Sequence, residues 1–214
     1  GGTSCVRLLK RTGTKEVYVA KVFNTLQEEQ SELLFAELRA LMAIDCPCVV
    51  GFHGAWKREN NVYVVLEAMW FGSLHDVMCN GEQPLFHHHP GAARCGEGRG
   101  QVGTRTDNER VMLAISFQVL WGINYMHSIG LVHGDIKSSN VLVSTCGSVK
   151  LADFGTSTFD PEHGSNIAGT FRYMPPERMD EGKFGPEGDV WAAGMMVAEL
   201  IAQRVPFASC DTHV

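Results

Sequence analysis

The sequence predicts an α+β fold in two parts, a small antiparallel β-sheet with one helix followed by a mainly helical region. In the first third of the chain, short runs rich in β-branched and aromatic residues flank one stretch with helical periodicity. Later, a long apolar stretch with helical character dominates at 106–129. We therefore expect a sheet-and-helix part at 1–69 and a helical part at 70–214.

Composition and charge exclude several classes of protein. The 214 residues are 44% hydrophobic and 20% charged, as in ordinary globular proteins, which excludes disordered and fibrous classes. The formal net charge of −6 argues against nucleic-acid and anionic-membrane partners, and we expect neither. The seven cysteines are scattered without a C-x-x-C pair, which predicts a reducing, cytoplasmic compartment. No apolar stretch has the character of a signal peptide or a membrane span, so we expect neither secretion nor membrane insertion.

Two charged residues occupy apolar faces in the first part. Lys21 shares one side of the strand predicted at 17–23 with Val19 and other apolar residues. Glu37 falls within the apolar stripe of the helix predicted at 27–44. Because a buried charge needs a partner, we expect Lys21 and Glu37 to pair. The alternative is a glutamate at the edge of the stripe that reaches solvent.

Two further strands are predicted at 46–56 and 61–69, and a helix starts from about residue 71. The segment 79–106 then breaks the pattern, because its glycines and prolines leave no apolar period to bury. We expect an exposed insertion that is dispensable for the fold. Histidines at 87–89 suggest a metal site, but consecutive side chains point in different directions, so a solvated loop is favoured.

The stretch 106–129 predicts a long helix. TDNE at its start matches a capping box, and Gly130 ends it. Apolar residues occur on nearly every side, which is typical of a helix buried at the centre of a domain. This helix leads directly into His133.

Residues that suit phosphoryl transfer follow this helix. VLV and VKLAD predict a β-hairpin with its turn near Gly147, which brings Asn140 and Asp153 to the same end. Amide and carboxylate oxygens are hard ligands, suited to a magnesium ion that also holds phosphate oxygens. Asp135 and Lys137 add a carboxylate and a cation in the preceding loop. The combination suggests phosphoryl transfer.

HGDIKSSNVLV and the following DFG resemble the catalytic loop and DFG segment of eukaryotic protein kinases. The resemblance implies the two-lobed protein-kinase-like fold, with ATP and Mg²⁺ bound between the lobes. It implies that Asp135 accepts or orients the proton of the substrate hydroxyl and that Lys137 steadies the γ-phosphate. Asn140 and Asp153 would hold the metal. One position departs from the family, because Gly134 stands where an arginine is usual.

The same resemblance implies a nucleotide pocket. The pair of Lys21 and Glu37 would position the α- and β-phosphates. Leu66 would be the gatekeeper, and backbone groups from Glu67 to Met69 would bind adenine. The remaining pocket residues implied by the resemblance are Gly1, Gly2, Val6, Val19 and Leu142. On this alignment the chain begins inside the glycine-rich loop.

GTFRYMPPE resembles the kinase segment that forms the platform for a peptide substrate, with roles implied for Thr170, Pro176 and Glu177. The 184–201 stretch resembles the buried kinase helix in which an aspartate, here Asp189, holds the catalytic-loop backbone. Structural roles are also implied for His133, Phe154 and Gly155. Kinases continue with further helices, so we expect a fold incomplete at both termini.

Three functions are compatible with these motifs. The first is a serine/threonine protein kinase, because the DIKSSN form favours hydroxyl over tyrosine substrates. GFHGAW and VLEAMWFGSL are similar to MAP kinase kinases and sterile-type kinases, which leaves dual specificity open and suggests a downstream kinase as the substrate.

The second is a small-molecule phosphotransferase that resembles aminoglycoside and choline kinases, whose loops also begin HGD. Those enzymes usually carry histidine at the position of Lys137 and lack the GT…PPE platform, which weighs against them. The third is a pseudokinase or nucleotide-binding scaffold fragment. The polar positions all suit catalysis, yet we expect weak activity or aggregation from residues 1–214 alone.

The glycine at 134 leads to a regulatory hypothesis. In kinases with arginine there, the guanidinium pairs with a phosphate on the activation segment. We expect phosphorylation at Ser157, Thr158 or Ser165 to matter less here than in arginine-containing relatives.

Overall fold

The computed structural model describes residues 5–80, 105–161, 169–182, 185–204 and 206. Within these ranges a four-stranded antiparallel sheet and one helix form the first part, and a three-stranded sheet and four helices form the second. The predicted α+β architecture is confirmed. None of the helices in these ranges combines the length and apolar character needed to cross a membrane.

The register of the first sheet determines which of its side chains share a face. Its strands, in spatial order, are β1 (Cys5–Lys10), β2 (Val17–Asn24), β4 (Asn61–Glu67) and β3 (Phe52–Arg58). Val6 pairs with Lys21, and Val19 pairs with Leu66. Paired residues, and residues two apart in one strand, project to the same side of a sheet. These four side chains therefore share one face, as the sequence predicts for the nucleotide pocket.

Helix α1 (Glu28–Ala43) closely matches the helix predicted at 27–44. Its buried side includes Leu34, Glu37 and Leu41, spaced three and four residues apart. A carboxylate thus lies in the middle of the apolar stripe.

The second part is built around a small sheet and two long helices. The sheet contains β5 (Gly72–Ser73), β6 (Val141–Val143) and β7 (Val149–Leu151), and the helices are α2 (Leu74–Asn80), α3 (Arg105–Ser128), α4 (Pro176–Glu181) and α5 (Pro186–Ala202). β6 and β7 form the predicted hairpin. Gly147 adopts a φ of 82° in its turn, a left-handed conformation that favours glycine.

The strand predicted at 46–56 starts later than expected, at Phe52. The residues before it bond to β7 instead. The N–H of Val50 donates to the carbonyl of Leu151, and the N–H of Leu151 donates to the carbonyl of Cys48, both at 2.9 Å. The residues at 48–50 therefore join the second part, which explains why this β-type run does not extend the first sheet.

The prediction that α3 is buried on nearly every side is wrong for one face. Val119, Ile123 and Met126 are buried, where α3 packs against α5 and β7. Leu113 and Phe117 are 70% and 62% exposed. In the described part of the chain, the neighbouring elements cover only one side of this helix.

The ends of the predicted insertion at 79–106 belong to helices. α2 continues to Asn80, and α3 begins at Arg105, one residue before the predicted capping box. The rest of the insertion, with the histidines at 87–89, lies outside the described residues.

Candidate active site

The ammonium of Lys21 joins two carboxylates from different elements. It donates to Oε2 of Glu37 on α1 at 2.5 Å and to Oδ1 of Asp153, just after β7, at 2.7 Å. The expected pair of Lys21 and Glu37 is therefore present. The contact with Asp153 also links both parts of the protein through one cation.

Burial and ion pairing act in opposite directions on the pKa values of Lys21, Glu37 and Asp153. Oε1 of Glu37 is buried, and no residue in the described ranges donates a hydrogen bond to it. Desolvation raises the pKa of Glu37 to about 7, although Lys21 acts in the opposite direction. Burial acts to lower the pKa of Lys21, but the two carboxylates outweigh it and raise that pKa. For Asp153, burial acts to raise the pKa, and Lys21 outweighs it and lowers the pKa.

The carboxylate of Asp135 lies in a closed ring of hydrogen bonds. Nζ of Lys137 donates to Oδ2 of Asp135 at 2.7 Å and to Oγ1 of Thr170 at 2.6 Å. The hydroxyl of Thr170 donates to the other oxygen of Asp135 at 2.8 Å. Nδ2 of Asn140 donates to Oδ2 of Asp135 at 3.0 Å. The structure thus brings together four predicted site residues from the loop and the segment before α4.

Asn140 and Asp153 lie close together through the hairpin backbone. The N–H of Ala152, the residue before Asp153, donates to the carbonyl of Asn140 at 2.9 Å. Asp153 has a φ of 65°, an uncommon conformation for a residue other than glycine, and one found at functional sites. The Asp153 side chain is 51% exposed, so its carboxylate is accessible from solvent.

The donor chemistry of this pair fits magnesium. An amide and a carboxylate are hard oxygen donors, and magnesium in nucleotide sites usually takes its other ligands from phosphates and water. The described residues contain no cluster of three or more histidine, cysteine, aspartate or glutamate side chains that could hold a metal by themselves.

A buried carboxylate on α5 supports the loop that carries Asp135. Asp189 Oδ2 accepts from the N–H of His133 at 2.9 Å, and its Oδ1 accepts from the N–H of Gly134 at 2.8 Å. Nε2 of His127 lies 2.9 Å from Oδ2. The Asp189 side chain is only 1% exposed, so these donors satisfy a charge that water does not reach.

The aromatic and glycine positions after Asp153 pack against the core and α1. Phe154 is fully buried, and its ring centroid lies 5.1 Å from that of His133. A Cβ on Gly155 would lie 3.3 Å from Cδ2 of Leu33 on α1. Glycine therefore allows this segment to approach the helix that carries Glu37.

The predicted adenine-binding segment lies at the end of β4. The N–H of Glu67 already donates to the carbonyl of Gly51 at 2.8 Å, so other backbone groups of 67–69 would have to bind adenine. The Glu67 carboxylate accepts from Nζ of Lys150 at 2.6 Å. Met69 and the gatekeeper position Leu66 are buried.

The remaining predicted pocket positions differ in whether the structure describes them. Leu142 is half-buried in β6, opposite Ser73. Gly1 and Gly2 lie outside the described residues.

The predicted platform residues surround the start of α4. Thr170 lies in the ring around Asp135, Pro176 is the first residue of α4, and Glu177 is exposed in its first turn. Sequence reasoning missed the support beneath them. The Tyr173 hydroxyl donates to Oε2 of Glu199 on α5 at 2.6 Å, and both residues are buried. A single glutamate within the apolar sequence VAELI was the available signal.

A second contact was also missed. Nη1 of Arg178 on α4 donates to the carbonyl of Gly134 at 3.0 Å. The signal was present in the sequence, because an arginine follows the platform motif and a glycine replaces arginine in the loop.

The proposed phosphorylation positions differ in their surroundings. Ser157 is buried, and its hydroxyl donates to the carbonyl of Phe154 at 2.6 Å. In this conformation its hydroxyl is therefore poorly accessible for phosphorylation. The backbone of Thr158 forms an antiparallel bridge with Val132. Ser165 lies outside the described residues. The hypothesis that phosphorylation matters less here stays a prediction.

The family model of the protein kinase domain matches residues 1–214. The chain is 31% identical to mitogen-activated protein kinase kinase kinase 17 of Arabidopsis thaliana, over 97% of this chain and 54% of that protein. It is 32% identical to dual specificity mitogen-activated protein kinase kinase 1 of Dictyostelium discoideum, over 94% of this chain and 28% of that protein. It is 30% identical to serine/threonine-protein kinase PAK mbt of Drosophila melanogaster, over 96% of this chain and 29% of that protein. The chain thus spans about half the length of the first relative and under a third of the other two.

Proposed function

Because the chain belongs to the protein kinase domain family, we propose that it transfers the γ-phosphate of ATP to a serine or threonine hydroxyl of a protein substrate. The observation that carries this proposal is the ring in which Asp135 accepts hydrogen bonds from Lys137 and Thr170. A carboxylate, a cation and a hydroxyl meet there beside the segment that resembles a peptide platform. Phosphoryl transfer depends mainly on positioning and electrostatic stabilisation, which such a ring supplies.

Asp135 is the proposed base. Its carboxylate would accept a hydrogen bond from the substrate hydroxyl, orient that oxygen toward the γ-phosphate, and take its proton. Lys137 is held within 2.7 Å of Asp135, close enough to stabilise negative charge on the transferred group. Thr170 fixes the second oxygen of Asp135, so the carboxylate is oriented before a substrate binds.

The nucleotide would lie between residues 1–69 and 70–214, which we propose as the two lobes. Val6, Val19, Leu66 and Leu142 would provide apolar surfaces for adenine, and Met69 a backbone contact. Support comes from the sheet register, which places the first three side chains on the same face as Lys21. Gly1 and Gly2 would lie near the phosphates.

The α- and β-phosphates would bind at Lys21, which Glu37 holds in position. Asn140 and Asp153 would hold Mg²⁺, which neutralises phosphate charge when bound. Asp153 already contacts Lys21, so the predicted metal ligand and the predicted phosphate ligand adjoin each other.

We also propose a kinase as the protein substrate and a cytoplasmic location. The first proposal is supported by the names of two relatives, a mitogen-activated protein kinase kinase kinase and a mitogen-activated protein kinase kinase. The second is supported by the cysteines of the described ranges, all of which have free thiols.

Transfer of labelled γ-phosphate tests the proposal. We expect label in a basic protein acceptor, and a rate 10² to 10⁴-fold lower in Asp135→Asn with nucleotide affinity nearly unchanged. Transfer to an aminocyclitol mixture instead would favour a small-molecule phosphotransferase. Nucleotide binding without transfer to either acceptor would favour a scaffold, and full turnover by Asp135→Asn would refute the assigned base.

A further inference from the structure

The peptide that links Gly134 to Asp135 lies in an unusual environment. Gly134 has a φ of 80°, a left-handed conformation that glycine adopts without steric cost. Its N–H is directed at Asp189, and its carbonyl is directed toward α4. The loop therefore offers a backbone acceptor, without a side chain of its own, immediately before the proposed base.

Arg178 on α4 occupies the space next to this acceptor. The residue is 7% exposed, and Nη1 donates to the Gly134 carbonyl at 3.0 Å. Burial lowers the pKa of Arg178 and outweighs Asp189 and Asp135, whose negative charges act in the opposite direction. Burying a guanidinium is costly unless it is paired with acceptors and countercharge. Here the Gly134 carbonyl accepts from Nη1 and two carboxylates lie nearby, although buried Nε has no acceptor among the described residues.

Gly169 shows how closely these groups pack. A Cβ built on Gly169 would lie 2.8 Å from the Gly134 carbonyl oxygen and 3.4 Å from Nη1 of Arg178. A side chain at 169 would therefore displace the hydrogen bond between Arg178 and Gly134. Thr170, the next residue, donates directly to Asp135. The contact thus lies where the catalytic loop, the platform segment and α4 meet.

The contact also restrains the orientation of Asp135. The carbonyl of Gly134 and the N–H of Asp135 belong to one planar peptide unit. Arg178 holds its carbonyl end, and Nδ1 of His133 accepts the N–H of Asp135 at 3.3 Å. A peptide plane held at both ends has little freedom to rotate, so the direction in which the Asp135 side chain leaves the backbone is restricted.

We propose that Arg178 is the positioning residue of the Asp135 loop, and that it couples this loop to the substrate platform through α4. The inference rests on the proposed phosphotransfer for its effect on rate. Arg178 would orient the base without contacting ATP or the substrate. Because the restraint comes from a guanidinium built into α4, it requires no phosphate on the activation segment.

The test compares Arg178→Met and Arg178→Lys with Arg110→Met in the full-length protein. Methionine keeps an apolar stem and removes both the donor and the charge, and lysine keeps the charge with one compact donor group. Arg110 lies exposed on α3 and controls for the loss of an arginine. The readouts are kcat, KM for ATP, and amide hydrogen exchange at residues 133–135.

We expect Arg178→Met to lower kcat about 100-fold, the scale of a small misplacement of a catalytic group, with KM for ATP within about twofold. Exchange at 133–135 should accelerate at least about tenfold, as local opening becomes easier. The kcat of Arg178→Lys should be at least about tenfold higher than that of Arg178→Met. Arg110→Met should match the wild type in every readout.

Wild-type kcat and exchange in Arg178→Met would overturn the inference, as would a change in KM for ATP equal to the change in kcat. If Arg178→Met does not fold, Arg178→Lys decides the question. Its kcat should then be about tenfold below that of the wild type, with KM for ATP unchanged. An Arg178→Lys variant with wild-type kcat and wild-type exchange would overturn the inference. A wild type that binds nucleotide without transferring phosphate would refute the proposed function instead. The exchange comparison would then still decide the role of Arg178.

Discussion

Replacing Asp189 by asparagine tests the support of the catalytic loop with one exchanged atom. The carboxylate has donors on both oxygens, with Gly134 at Oδ1 and the N–H of His133 and the ring of His127 at Oδ2. Asparagine offers one oxygen and one NH₂ group. Whichever way the amide is oriented, at least one backbone N–H then faces another donor.

The size of the effect follows from these contacts. A hydrogen bond to a charged acceptor contributes about 1.5 to 3 kcal/mol, and a buried donor without an acceptor costs about 1 to 3 kcal/mol. These two effects overlap, so we expect the free energy of unfolding to fall by about 2 to 4 kcal/mol. That loss is a large share of the roughly 5 to 15 kcal/mol that stabilises a typical domain.

Urea unfolding at neutral pH measures this difference. Glu187→Gln is the matched control, because it makes the same change of carboxylate to amide at an exposed site two residues earlier in α5. The control should change the free energy of unfolding by less than about 1 kcal/mol, the scale of a charge at a helix start. An Asp189→Asn variant no less stable than the control would refute the support assigned to this carboxylate.

Three further predictions concern other contacts of the site. Gly169→Ala should lower the free energy of unfolding in urea more than Gly182→Ala does. Both glycines have positive φ, but only a Cβ at 169 would meet a backbone oxygen at 2.8 Å. Equal losses of unfolding free energy in the two variants would contradict that close approach. The pKa of Glu37 is raised to about 7 in the folded state, so folding favours the protonated carboxyl group. The contribution of this group to the free energy of unfolding is complete below about pH 4.5 and is lost as the pH rises through 7. Relative to Glu37→Gln, wild-type unfolding free energy should therefore fall by about 3 kcal/mol between pH 4.5 and 8.5, and parallel profiles would show that Glu37 does not titrate there. Lys21→Met should weaken binding of a fluorescent ATP analogue in the presence of Mg²⁺, and unchanged affinity would remove Lys21 from the proposed phosphate site.

The pairing of Lys21 with Glu37 was predictable because each charge interrupts an apolar face of an adjacent element. Two such charges have few other ways to be satisfied. Its third member, Asp153, could not be paired with Lys21 from local patterns, because that contact depends on how the two parts of the protein pack together. The hairpin between Val141 and Leu151 was predictable, since two β-type runs flank a turn with a glycine at its required position.

The errors arose where a pattern was compatible with more than one neighbour. The β-type run at 46–51 could pair with the first sheet or with β7, and local propensity does not distinguish them. The apolar sequence of α3 indicated burial on nearly every side, although Leu113 and Phe117 are exposed in the structure. Arg178 was missed because it contacts a backbone carbonyl. A glycine at 134 shows only that no side chain is present there, and it does not indicate which residue its carbonyl binds.

The backbone link between residues 48–50 and Leu151 has a mechanical consequence. Two hydrogen bonds of 2.9 Å fasten the segment just beyond α1 to the second part of the protein. If the two parts of the protein moved apart, these hydrogen bonds would restrain the chain between them at residues 48–50. The C-terminal end of α1, at Ala43, lies a few residues from this link, so we expect it to move less than the opposite end at Glu28.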